Sequence, residues 1–133
     1  YHSACTYLLC EGEITDMKMK QAVKEGRSVI SMGPLFYFNI GEKTVGDEIK
    51  AGEYEIEFTL SFERMKEMGV TEKVIPKEIK LITIGGEEAL SLDASCLRTS
   101  VSLKNLWYNA ELWGTIDGKE NCLLALTAPI YTC

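Results

Sequence analysis

The chain has 133 residues, of which 46% are hydrophobic and 26% charged, a composition typical of one globular domain. Its net charge of −6 is unfavourable for binding nucleic acid or an anionic membrane surface, because both need a positively charged footprint. The sequence contains no apolar run close to the roughly 20 residues of a membrane-spanning helix, so we expect neither a nucleic-acid nor a membrane partner.

The first third of the chain is predicted to change from helix to strand. Residues 4–10 are a short apolar run typical of a strand, and Thr15 is placed to cap a helix that follows. Met19, Ala22 and Val23 share one face of that helix. Gly26 ends it, and Gly33-Pro34 interrupts the extended run that comes next.

The pattern of the rest of the chain predicts short strands separated by turns. Residues 53–62 alternate strictly, which predicts that their apolar members face the core: Tyr54, Ile56, Phe58, Leu60 and Phe62. Gly85-Gly86 and Asp117-Gly118 indicate hairpin turns, and residues 63–77 indicate a crossover that includes one helical turn.

Seven to nine such strands with one short N-terminal helix predict a mainly β fold, an immunoglobulin-like antiparallel β-sandwich. We assign residues 1–33 to a connecting strand and helix, and residues 34–133 to the sandwich domain.

The five cysteines are odd in number and widely spaced: Cys5, Cys10, Cys96, Cys122 and Cys133. The first two do not form a CxxC pair, and no second pair completes a zinc site. We expect reduced thiols and a cytoplasmic protein, with a disulfide or metal site as the alternative. The chain begins at Tyr1 rather than Met, which suggests a piece of a longer protein.

The sequence indicates no catalytic, cofactor-binding or metal-binding residue. His2 is the single histidine, so a Ser-His-Asp triad or a histidine-rich metal site has no further members. Glu53, Glu55 and Glu57 share one strand face opposite the apolar one, which favours a solvated surface over an acid–base pair. We therefore do not expect this chain to be an enzyme by itself.

Trp107 and Trp113 are the candidates for ligand contact. Six residues apart on one strand, they lie on the same face, with Tyr108 on the opposite face. The default interpretation is that the tryptophan face packs in the core; the alternative is an aromatic platform for sugar rings.

Several short segments follow one another in a characteristic order: Thr6-Tyr7, Ala22 to Arg27, Ser31-Met32-Gly33-Pro34-Leu35, Gly46-Asp47, Gly85-Gly86, the Trp107 strand, and Thr127-Ala128-Pro129-Ile130-Tyr131. In this order and spacing the chain resembles the C-terminal β-sandwich domain that follows the catalytic domain in CehA/McbA-type metallohydrolases. These belong to the PHP (polymerase and histidinol phosphatase) superfamily.

The resemblance implies that the metal-binding residues lie in an upstream PHP barrel, where divalent metals would activate water, for example to hydrolyse a phosphoester. This chain would then be a non-catalytic accessory domain that supports or caps the barrel, with a joint formed by Arg27, Ser31, Gly33 and Pro34. Glu111 and Leu126 stand where relatives commonly carry Arg and His, which implies a lost auxiliary contact. The alternative is a stand-alone binding module for carbohydrate or a protein partner.

Overall fold

The structure, a computed structural model, describes residues 5–9, 16–67, 69 and 71–133. Its helices are α1 (Asp16–Lys24) and α2 (Glu63–Glu67). Its strands are β1 (Cys5–Leu8), β2 (Ser28–Ser31), β3 (Leu35–Ile40), β4 (Lys43–Thr44), β5 (Glu48–Ile49), β6 (Gly52–Ser61), β7 (Val74–Thr83), β8 (Glu87–Asp93), β9 (Arg98–Leu103), β10 (Trp107–Ile116), β11 (Lys119–Thr127) and β12 (Ile130–Thr132). The predicted mainly β fold class is confirmed.

The strands form two sheets. The larger sheet has the order β1-β2-β11-β10-β7-β8; β12 continues the pairing with β10 beyond the end of β11, and β5 lies parallel to β12. The smaller sheet has the order β4-β3-β6-β9. The remaining pairings are antiparallel, as expected for short strands joined by tight turns.

One hydrophobic core lies between the sheets, which gives a sandwich-like arrangement. The smaller sheet contributes the aromatic side chains Phe36, Phe38 and Phe58, and the Phe36 and Phe58 rings stack 6.0 Å apart. In β10 buried and half-buried residues alternate along the whole strand, so one face of the larger sheet supplies the other half of the core.

The alternation in β6 places most of its apolar side chains as predicted. Ile56 and Phe58 are buried, and Tyr54 and Leu60 are half-buried against the core. Phe62 is 38% exposed, so its predicted inward orientation is wrong. β6 ends at Ser61 and α2 begins at Glu63, and this change of structure interrupts the period of two.

The N-terminal segment is part of the larger sheet. β2 pairs with β11 through Val29 opposite Thr127, and β1 pairs with β2. Part of the predicted connecting segment is therefore hydrogen-bonded to the sandwich itself. The predicted helix is confirmed as α1, whereas Thr15 and the side chains of Met19, Ala22 and Val23 lie outside the described residues, as do His2 and Cys10.

The predicted turns are also confirmed. Asp117 and Gly118 both have positive φ, 49° and 82°, the backbone needed to join β10 to β11 by two residues. Gly85 and Gly86 join β7 to β8, and α2 supplies the helical turn expected in the crossover. Within the described ranges, no helix has the length and apolarity to cross a membrane.

Candidate functional site: the outer face of the larger sheet

Arg27, the first predicted joint residue, links two parts of its own chain. Its Nη2 lies 2.6 Å from Asp47 Oδ1 and its Nε lies 2.7 Å from Glu25 Oε2. Its Nη1 donates to the Val45 carbonyl at 3.1 Å. The guanidinium thereby joins the end of α1 to the turn between β4 and β5.

The other predicted joint residues are enclosed by the fold. Ser31 is 1% exposed; its hydroxyl donates to the Pro34 carbonyl and accepts from the Gly33 amide. Gly33 and Pro34 are buried, and a side chain on Gly33 would lie 2.8 Å from Met65 Cε. Of the four residues, Arg27 is thus the one with a partly exposed side chain, at 24%.

Asp47 makes the Arg27 cluster sensitive to acid. Burial opposes ionisation of its carboxyl group, but hydrogen bonds from the Thr44 amide and from Arg27 outweigh burial, so the pKa of Asp47 lies below its ordinary value. Because the pKa of Asp47 is lower in the folded state, its charged form stabilises the fold at pH values above the unfolded-state pKa of about 3.9. This contribution is lost as the pH falls through the folded-state pKa.

We predict that Asp47→Asn lowers the free energy of unfolding by about 1 kcal/mol at pH 7, because the pair is partly solvated. The difference from the unmodified chain should shrink as the pH falls from about 4 through the lowered folded-state pKa of Asp47. Urea unfolding at pH 7 and pH 3 measures both values. Glu55→Gln, in an exposed pair with Arg98, is the control and should change little.

The two tryptophans lie on the outer face of the larger sheet. Trp107 and Trp113 are half-buried, whereas Tyr108 between them in sequence is 1% exposed and belongs to the core. They share one face as predicted. The default interpretation, that this face packs in the core, is wrong because the core side of β10 carries Tyr108, Ala110 and Leu112.

The Trp113 indole is fixed by polar neighbours. Its Nε1 donates to Glu111 Oε1 at 3.0 Å, and the Lys80 ammonium lies 5.3 Å from the ring centroid, within cation–π distance. Lys80 also pairs with Glu78 at 3.6 Å. A ligand that stacked on this face of Trp113 would have to displace the Lys80 ammonium group.

Glu111 and Leu126, the two positions at which the sequence predicted a lost contact, lie directly opposite each other on β10 and β11. Both are half-buried on the outer face. On its other side Glu111 is opposite Lys80, and Leu126 is opposite Ile30. The register thus brings these separate sequence positions into one row across four strands.

A strip of apolar side chains runs along this outer face, which we call the apolar strip. Ile30, Leu123 and Tyr131 are 53%, 38% and 45% exposed. Leu123 lies opposite Trp113, and Tyr131 lies opposite Trp107. The strip comprises Ile30, Trp107, Trp113, Leu123, Leu126 and Tyr131.

A depression of about 290 Å³ adjoins one end of the apolar strip. Its lining combines the edge of an indole with carboxylate, amide, hydroxyl and ammonium groups, from Lys77, Glu78, Trp113, Thr115, Glu120 and Asn121. Such a combination can contact an apolar ring face and hydrogen-bond to hydroxyl groups around it.

The outer face of the smaller sheet is polar along β6 and β9. Arg98 on β9 pairs with the carboxylates of Glu55 and Glu57 on β6. Ser100 and Ser102 lie opposite Glu55 and Glu53 and are exposed. The three glutamates thus lie on the sheet surface, with a depression of about 530 Å³ beside Glu53 and Glu55. The two outer faces of one molecule therefore differ in chemistry.

Within the described ranges, no three His, Cys, Asp or Glu side chains come together at metal-binding distance. Cys96, Cys122 and Cys133 are free thiols. Comparison of the chain with protein-family models, with curated proteins and with solved structures gives no match.

Four residues of this surface were not predicted from the sequence: Ile30, Lys80, Leu123 and Tyr131. Each lies on a different strand, and the strand order places Leu123 and Tyr131 opposite a tryptophan, Lys80 over the Trp113 ring, and Ile30 opposite Leu126. Ile30, Leu123 and Tyr131 each adjoin another large apolar residue in sequence, a pattern that indicates apolar side chains on both faces of a strand, whereas Lys80 carried no such signal.

Proposed function

We propose that this chain is an accessory β-sandwich module without catalytic residues of its own, which docks on a neighbouring folded domain through the apolar strip. The observation that carries the proposal is the contrast between the two outer faces. An antiparallel sheet that faces water usually presents polar side chains, as the smaller sheet does here. Exposed apolar patches rimmed by polar residues commonly mark interaction surfaces.

The proposal includes an immunoglobulin-like form of the sandwich, supported by two observations. The first is the strand order, which agrees with the hairpin and crossover connections of immunoglobulin-like domains. One sheet contains β3-β6-β9 and the other contains β11-β10-β7-β8. The hydroxyl of Tyr108, at the start of β10, accepts from the amides of Lys104 and Asn105 just upstream. This is the arrangement called a tyrosine corner in such sandwiches.

The resemblance described above supplies the identity of the proposed neighbour: an upstream PHP-type barrel whose divalent metals activate water. In that protein the sandwich supports or caps the barrel in the cytoplasm. The cluster formed by Arg27, Glu25 and Asp47 would stiffen the segment through which the chain enters the sheet.

The docking role is tested with a matched pair of charge substitutions, Leu123→Lys in the apolar strip and Ser100→Lys on the smaller sheet. Both sites are exposed, so neither variant should change the melting temperature of the 133-residue chain by more than about 2 °C. In the longer native polypeptide, Leu123→Lys should lower it by several degrees, because a lysine would be forced into an apolar interface. Equal effects of the two variants would exclude the strip as the contact.

A hydrolysis assay tests the assignment of catalysis to the neighbour. The isolated 133-residue chain, supplied with Mn²⁺ or Zn²⁺, should leave aryl phosphoesters intact. Metal-dependent turnover that persists after purification by two independent routes would overturn the accessory role.

A carbohydrate-binding module is the second candidate, favoured by the depression beside Trp113. It predicts that a glycan quenches or shifts tryptophan fluorescence, and that Asn121→Ala, which removes an amide from the lining, weakens this response by about tenfold. Asn105→Ala, at an exposed site outside the depression, is the matched control. A panel of neutral and acidic oligosaccharides that leaves the emission of both tryptophans unchanged would remove this candidate.

A further inference from the structure

The apolar strip has the dimensions of an α-helix. Trp107 and Trp113 are six residues apart on β10, a distance of about 20 Å, which equals the length of a helix of about 13 residues. Across the sheet the strip extends from β2 over β11 and β12 to β10, a width of two strand spacings or about 10 Å, which is close to the diameter of a helix with its side chains. Helices packed on sheet faces are a common way of covering such a surface.

Carboxylates border the strip on the side of β7 and β8. Glu78 lies opposite Trp113, and Glu88 lies opposite Ile82 in the next strand. At the far end, Glu48 lies opposite Tyr131 and is exposed. The border formed by β2 and β1 carries Ser28 and Thr6 instead, which are uncharged. Glu111, half-buried on the same face between Trp107 and Trp113, adds a carboxylate within the strip, and Lys80 on β7 is a cation among these groups. Carboxylates thus lie along one long side, at one end and within the strip.

Lys80 shows where a cation fits on this surface. Its ammonium group lies over the Trp113 ring and beside the Glu78 carboxylate, so the sheet already holds one positive charge against an indole and an acid. The side chain is 29% exposed and lies at the surface. A partner's lysine or arginine could take this position if Lys80 moved away.

From these observations we infer that the occupant of the apolar strip is a basic amphipathic helix of the neighbouring domain. Its apolar face lies along Trp107 and Leu126, and its Lys or Arg residues point towards β8 and Glu88. This inference rests on the proposed docking function and adds the chemistry and orientation of the partner. Charge complementarity of this kind fixes orientation and suppresses wrong partners.

Two synthetic helical peptides of about 14 residues provide the test: one of Leu and Lys, and one with Glu at every Lys position. Each is titrated into the 133-residue chain at low and high salt, with amide chemical shifts locating the site. The Lys peptide should bind at least about tenfold more tightly than the Glu peptide, and less tightly as salt rises. Shifts should map to β10 and β11.

Three variants test which charged groups of the chain contact the peptide. Glu88→Gln should weaken the Lys peptide severalfold, and Lys80→Ala should tighten it, because the position over Trp113 is vacated. Glu55→Gln on the smaller sheet is the matched control and should change nothing.

Equal affinity of the two peptides at β10 and β11 would refute the basic chemistry while leaving the docking face intact. Binding of the Lys peptide to the Glu53–Glu57 surface, or no binding of either peptide, would refute the inference as a whole. The proposed docking function is judged separately, by the Leu123→Lys and Ser100→Lys pair.

Discussion

Gly114→Ala should destabilise the chain by about 3 kcal/mol or more, the largest effect that we expect from a single methyl group. Gly114 lies in β10 beside a register shift against β7. A β-carbon there would lie 2.1 Å from the Ile75 carbonyl oxygen and 2.9 Å from Pro76 Cα, both backbone atoms. The two strands would have to separate, which breaks the pairing at the centre of the larger sheet. Urea unfolding of purified variants measures the effect.

Gly118→Ala is the matched control for that substitution. Gly118 lies in the turn after the same strand, and nothing is within 4 Å of the site of a new β-carbon. Its φ of 82° costs an alanine about 1–2 kcal/mol, a purely local strain. If Gly114→Ala were no more destabilising than Gly118→Ala, the close approach of β7 to β10 would be wrong.

Tyr108→Phe should lower the free energy of unfolding by about 2 kcal/mol although it removes one oxygen atom. The hydroxyl accepts from the Lys104 amide at 2.8 Å and from the Asn105 amide at 3.0 Å, and the ring is 1% exposed. Both amides lose their acceptor at a part-buried site. Tyr108→Ala, which also empties core volume, should cost about 3–5 kcal/mol.

Tyr131→Phe tests whether the loss of stability is specific to the Tyr108 hydroxyl or follows from removing any tyrosine hydroxyl. Tyr131 is 45% exposed and its hydroxyl makes no hydrogen bond to the part of the chain that the structure describes. The change should be within about 0.5 kcal/mol. A Tyr108→Phe variant as stable as Tyr131→Phe would show that the corner contributes nothing to stability.

Local patterns were sufficient to predict the β elements. The alternation of Ile56 and Phe58 and the turn residues Asp117-Gly118 are short-range features, since each depends on the backbone of a few consecutive residues. Phe62 shows the limit: the same alternation continues in sequence after the strand has ended, because α2 begins one residue later. Gly114 did carry a signal, because glycine inside a strand often marks a bulge or a close backbone approach.

The candidate site was harder to predict because it depends on which strands are neighbours. The sequence placed Trp107 and Trp113 on one face of β10. It did not indicate which face belongs to the core, since both faces of β10 carry large side chains. Ile30 and Leu126 are 96 positions apart in the chain and become opposite partners only through the pairing of β2 with β11. Lys80 reaches Trp113 in the same way, through β7.

Hydroxyl-radical footprinting of the proposed longer polypeptide, in which the upstream barrel precedes this chain, and of the 133-residue chain tests the docking surface most directly. Trp107, Trp113 and Tyr131 should be labelled several-fold less in the longer polypeptide, because the neighbouring domain covers the apolar strip. Tyr37, half-buried in β3 of the smaller sheet, should be labelled equally in both. Equal labelling of the three strip residues in both proteins, or protection of Tyr37 instead, would contradict docking through the larger sheet.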